Sequence, residues 1–219
     1  MKITTIAYSA SIGVILGAIL FGFSKPKDAI ATSSQPPTQR TGAPGESNCA
    51  SCHTGSLLKN GSLSISPGIS QYVAGHTYPI TVTIDDPGQV RWGFEMTALK
   101  DSDNSQAGSF GSSSQLIGIQ SAGGRTYAGH DNNGAAVPLD PTDGTYWGTM
   151  NGPVSWVVNW TAPSVGSGDV TFYAAGVAAN GNGVQDALDF AYTSSAQVTE
   201  QAPSPVSNTT WGKIKQQYR

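Results

Sequence analysis

From about residue 63 to 198 the chain breaks into short runs of alternating apolar and polar side chains, each bounded by Gly, Pro, Asp or Asn. A period of two is the signature of a strand, whose successive side chains point to opposite faces of a sheet. Residues 78–84 alternate in this way and end in Asp85-Asp86-Pro87-Gly88, which has the composition of a turn. Residues 92–99 alternate again, with Trp92, Phe94, Met96 and Ala98 on one face. Residues 116–120, 155–160 and 170–177 predict further strands, and 188–193 with 196–199 the last ones. No stretch carries the 3.6-residue period of a helix of normal length. Charged residues make up 11% of the chain and glycines number 27, which suits many turns and does not suit a helical bundle. These features predict an all-β fold, an antiparallel β-sandwich.

The flanks of this region differ in composition. Residues 1–31 read as an export signal: Lys2 is a small basic start, residues 5–23 carry no charge, and Ala29-Ile30-Ala31 fits a cleavage site. The run is also long enough for an uncleaved anchor, and Lys25 and Lys27 beyond it leave the orientation open. Either way the body of the chain is expected outside the cytoplasm, as a secreted, cell-surface or periplasmic protein. Residues 32–48, rich in Ser, Thr, Pro and Gly, read as a linker, and 49–199 as the β-sandwich domain. Residues 200–219 read as a proline-rich spacer and a basic-aromatic tail. A net charge of −3 offers no footprint for nucleic acid.

The two cysteines stand at 49 and 52, and His53 follows directly. Cys-x-x-Cys-His is the attachment signature of a c-type haem. Each thiol adds to one of two vinyl groups on neighbouring pyrroles, two intervening residues span the gap, and the histidine supplies the proximal imidazole. The expectation is one covalent haem c, with Cys49 and Cys52 as thioethers and His53 on the iron. Three other readings compete: a thioredoxin-like redox pair, which needs a βαβ context; a zinc site, which lacks a clear fourth ligand; and a simple disulfide. No Ser/His/Asp set has recognisable spacing and there is no nucleotide loop, so an electron carrier is expected rather than an enzyme.

Residues 41–55, Thr-Gly-Ala-Pro-Gly-Glu-Ser-Asn-Cys-Ala-Ser-Cys-His-Thr-Gly, resemble the opening of the bacterial choice-of-anchor secreted domains related to the reelin N-terminal (reeler) domain. The resemblance continues in order through residues 72–78, 92–99 and 107–110, then Tyr127-Ala128-Gly129-His130, Trp160-Thr161-Ala162-Pro163 and Ala178-Ala179-Asn180-Gly181. It implies an immunoglobulin-like, reeler-like sandwich, export, a haem-binding segment at the front of the domain and a variable C-terminal attachment device. The chain departs at its end, where residues 200–219 show no recognisable membrane anchor.

A sixth iron ligand would come from His76, His130, Met96 or Met150. His76 reads as a turn residue and Met96 as core. Met150 sits in a Gly-Thr-Met-Asn-Gly loop and is the second candidate. His130, in a glycine-rich polar stretch, matches a histidine of the family and is the first. Ligation by two histidines gives a lower potential than His/Met. Tyr127, Trp147, Trp156 and Trp160 are candidates to flank the haem, with sandwich core as the other reading. Arg125 is a candidate for a propionate. Asp85, Asp86, Asp131, Asp140, Asp143, Asp186 and Asp189 read as loop aspartates that could bind calcium, although no calcium-loop spacing supports it.

The function expected is an exported monohaem cytochrome for extracytoplasmic electron transfer, exchanging electrons with a redox partner protein or with neighbouring copies of itself. The alternative is a surface adhesion, carbohydrate- or protein-binding module with a disulfide or a structural haem. A haem enzyme or gas sensor with an open sixth position is the third reading. Membrane contact is expected only through an uncleaved N-terminus.

Overall fold

The computed structural model describes residues 34–54, 60–132, 143–202 and 215–216. The expected signal at 1–31 and most of the tail, including 203–214 and 217–219, lie outside these residues. Among the described residues there are ten strands: β1 (Ser62–Ser66), β2 (Gln71–Tyr72), β3 (Thr77–Asp85), β4 (Arg91–Lys100), β5 (Ser109–Ser112), β6 (Ile117–Ala122), β7 (Arg125–His130), β8 (Val154–Thr161), β9 (Val170–Ala179) and β10 (Phe190–Glu200). They form two sheets, ordered β1-β3-β8-β5 and β2-β10-β9-β4-β7-β6. All neighbours run antiparallel except β2, which pairs in parallel with the end of β10. The two runs expected at 188–193 and 196–199 are one continuous strand, β10. Among the described residues no helix is long and apolar enough to cross a membrane.

The alternation read in the sequence builds the core. Ile80, Val82 and Ile84 of β3 and Val154, Trp156, Val158 and Trp160 of β8 are buried in one sheet. They meet Trp92, Phe94, Met96 and Ala98 of β4 and Val170, Phe172 and Ala174 of β9 in the other. The aromatic rings interlock across the gap: Phe94 lies 4.7 Å from Trp156, and Trp160 meets Phe172 edge-on at 4.9 Å. Edge-on and offset pairs add roughly 0.5–1.5 kcal/mol each beyond the area they bury. The indoles of Trp156 and Trp160 satisfy their N–H groups on the carbonyls of Gly144 (2.8 Å) and Ala107 (3.0 Å). Trp156, Trp160 and Tyr127 are therefore structural.

The second face of the larger sheet is covered in part, over β4 and β7, and here the structure differs from the sequence expectation. Glu95, Thr97 and Leu99 of β4 point away from the core, yet are buried too. The cover over Glu95 is the segment from Gln35 to Asn48, expected to be a linker. It turns back on itself through a Thr41–Asn48 bridge and buries Ala43. The Arg40 N–H donates to Glu95 Oε2 at 2.6 Å. The Glu46 carboxylate receives Tyr127 (2.7 Å), Arg125 (2.6 Å) and Thr41 (2.6 Å). A polar, periodless segment can still dock when its backbone and carboxylates find partners on a sheet. We call it the strap.

Candidate functional site

Cys49–Ser51 form a single 3-10 turn directly after the strap. Asn48 caps it, accepting the Ala50 N–H at 2.9 Å. The Cys49 carbonyl then accepts the N–H groups of both Cys52 (3.2 Å) and His53 (3.0 Å). That doubled bond tightens the chain and carries Cys49, Cys52 and His53 onto one wall of a cavity of about 590 Å³.

The floor of the cavity comes from the outward face of β4 and β9. Arg91 pairs with Ala179 and Gly93 with Val177, so these four residues share a face opposite the core. Small side chains dominate this floor. His130 stands on the same cavity. It closes β7, a strand, where the sequence showed only a glycine-rich polar stretch. Pairing between β4 and β7 is confined to Glu95–Gly129 and Met96–Ala128, and beyond it the His130 imidazole fills the gap between the strands. Its Nδ1 lies 3.1 Å from the Phe94 N–H and 3.3 Å from the Phe94 carbonyl. The ring rests over Gly93, where an added Cβ would come within 2.7 Å of Cε1 and 2.9 Å of Nδ1. Glycine at 93 is thus a condition for His130 to be where it is.

His53 is held from behind. Its Nδ1 lies 2.8 Å from Oδ2 of Asp189, a residue that is 2% exposed. The other carboxylate oxygen receives the Asn180 N–H at 3.3 Å. Asp189, read in the sequence only as a loop aspartate, ends the β9–β10 connection beside the turn. Four of the other aspartates singled out in the sequence have partners of their own: Asp86 has Tyr192, Asp143 has Thr145, Asp131 has Gln35 and Asp186 has Asn182. Asp85 adds no calcium loop, and Asp140 lies outside the described residues.

Electrostatics separate the competing readings of the cysteines. Burial first, and the nearby Glu95 carboxylate second, push the Cys49 thiol up to about 12. A redox-active Cys-x-x-Cys pair needs the opposite, a thiol lowered toward neutrality. Cys49 and Cys52 are not joined in a disulfide. No group of three or more His, Cys, Asp or Glu side chains converges to hold a bare metal ion among the described residues, so the zinc reading lacks its ligands.

A covalent haem needs two thiols at the right spacing, one or two imidazoles, and room. These residues fit it: two thiols and two histidines from distant parts of the chain line one cavity, whose volume is in the range of small-molecule sites. Two cations line it too, Arg40 and Arg91. Arg40 Nε is buried with no hydrogen-bond partner among the described residues, and the Arg91 guanidinium stacks 4.8 Å over Trp147. Neither arginine stood out in the sequence, because lone arginines in strap and strand carry no motif.

Several sequence candidates are not at this site. Met150 is 66% exposed and does not line the cavity. Met96 is core, and His76 is exposed beside Tyr78. Arg125, offered for a propionate, is engaged by Glu46. Trp147 does not line the cavity, but its ring lies against Arg91 and Gly181, which do.

No family model and no curated protein matches the chain. Among solved structures it is similar to the Reelin-N domain of F-spondin, at 18% identity and a TM-score of 0.42 over 70% of this chain and 95% of that one. It is also similar to a human F-spondin reeler domain fragment, at 18% identity and TM-score 0.40 over 68% and 96%. A third is CaCohA2 from Clostridium acetobutylicum, at 15% identity and TM-score 0.41 over 67% and 94%.

Proposed function

We propose that the chain is an exported monohaem c-type cytochrome, built on an all-β sandwich, that transfers electrons outside the cytoplasm. The observation that carries this reading is the convergence of Cys49, Cys52, His53 and His130 on one cavity. Cys49 and Cys52 hold the haem as thioethers. His53 would offer Nε2 to the iron, since Asp189 engages its other nitrogen. His130 would supply a second imidazole through Nε2 once its proton sits on Nδ1 and faces the Phe94 carbonyl at 3.3 Å, which leaves Met150 no part. Arg40 and Arg91 meet the propionates, whose planar carboxylates suit guanidinium. Gly93, Val177 and Ala179 give a smooth apolar floor that keeps water from the ring. When bound, haem supplies a one-electron couple, and two imidazole ligands set it at a low potential. The partner is a redox protein, or a neighbouring copy that brings a second haem close.

The test is expression with cytochrome c maturation machinery followed by a pyridine haemochrome spectrum. Haem that stays with the protein through acid-acetone extraction is expected. His130→Ala is then expected to turn a low-spin protein that ignores carbon monoxide into one that binds it when reduced. No retained haem after competent maturation overturns the proposal. Retained haem that already binds carbon monoxide in the wild type overturns the role of His130.

A further inference from the structure

We infer that Asp189 is a positioning residue that sets the redox equilibrium of the iron through His53; the inference rests on the haem reading above. The Asp189 carboxylate is 3% exposed and sits 2.8 Å from His53 Nδ1, on a ring whose side chain is 15% exposed. Nδ1–H donates and Oδ2 accepts, which fixes the tautomer and leaves the Nε2 lone pair for the metal. Oδ1 is held by the Asn180 N–H at 3.3 Å, so the carboxylate is braced and not swinging in solvent.

Two effects follow, and both have the same sign. A negative charge behind the proximal ring, at a site that water screens poorly, favours the more positive, oxidised iron. A strong hydrogen bond to a carboxylate also pushes electron density onto the ring and makes it a better donor to the oxidised metal. The electron itself comes from the redox partner; Asp189 changes only where the balance lies. A neutral acceptor at the same place would orient the ring equally well without that charge.

Asp189→Asn makes that replacement. It is compared with wild type as holoprotein, by mediated redox titration with dithionite and ferricyanide. The expected result is a shift of about tenfold toward the reduced form, about 59 mV upward for one electron, with covalent haem content unchanged. A shift below threefold, or one toward the oxidised form, overturns the inference. If D189N does not accumulate as holoprotein, the reduced wild type decides by proton NMR. A His53 ring N–H protected from solvent exchange supports the bond to Asp189, and a rapidly exchanging one overturns it. Covalent haem with an unmoved potential removes only the role of Asp189, whereas absence of covalent haem in the wild type removes the parent reading with it.

Discussion

Gly93→Ala adds one methyl group, and the structure says where it goes. The new Cβ would stand 2.7 Å from His130 Cε1 and 2.9 Å from Nδ1. Ordinary contact begins at about 3.4 Å, so the imidazole has to retreat by roughly 0.7 Å. The Phe94 N–H to Nδ1 bond, now 3.1 Å, then stretches beyond hydrogen-bond length. A buried donor left unsatisfied costs about 1–3 kcal/mol, and an overpacked methyl about 1–3 kcal/mol. Against this, alanine restricts the unfolded chain and returns about 0.4–1 kcal/mol. A net loss of about 1–6 kcal/mol is expected, read from the urea midpoint at unchanged slope. The cause is specific, so the decisive measurement is a double-mutant cycle. In a His130→Ala background the methyl has room, and G93A should cost less than 1 kcal/mol. An equal cost of G93A in both backgrounds would show that the strain lies elsewhere and refute the account of how His130 is seated.

Two further outcomes are expected. Burial raises the Glu95 carboxyl to about 8 from an ordinary 4.5, so the folded state keeps a proton that the unfolded chain releases; stability should fall as pH rises from about 4.5 to 8, on the order of 1 kcal/mol per pH unit, and Glu95→Gln should flatten that slope in urea titrations taken across the range, an unchanged slope counting against it. Met150→Leu should leave the visible spectrum and the redox midpoint of the holoprotein where they were, because the side chain is 66% exposed away from the cavity; a loss of low-spin character would return Met150 to the iron.

Much of the sandwich was legible because alternation and turn chemistry are local properties. The runs at 78–84, 92–99, 155–160 and 170–177 became β3, β4, β8 and β9 within a residue or two at most ends. The short strands β1, β2 and β5 were not read as elements, and β7 and the strap were missed for one physical reason. Strand β7, residues Arg125–His130, reads as Gly-rich and polar because its neighbours, not its own side chains, bury it: Glu46 takes Arg125 and Tyr127, and Pro36 of the strap packs over Gly129. The strap has no apolar period, and its docking depends on backbone donors meeting carboxylates far away in sequence. Cys49, Cys52 and His53 were legible as a spacing, but Asp189, Gly93, Arg40 and Arg91 were not. Each matters only through the residue the fold sets beside it.

The division of the site between two parts of the chain explains why a buried acid is tolerated in β4. The turn bearing both thiols and His53 is carried by the strap that precedes it, while His130, the floor and Asp189 belong to the sandwich. Apolar contact alone would let the strap slide along the sheet, since it is not directional. Glu95 accepts one named N–H, that of Arg40 at 2.6 Å, and Glu46 gathers Thr41, Arg125 and Tyr127. Those bonds are directional, so they fix the register of the strap and hence the position of Cys49, nine residues after Arg40. The cost is a carboxyl with one oxygen, Oε1, left without a partner among the described residues. A hydrocarbon at position 95 would relieve that cost and remove the reference point that sets the thiols opposite His130.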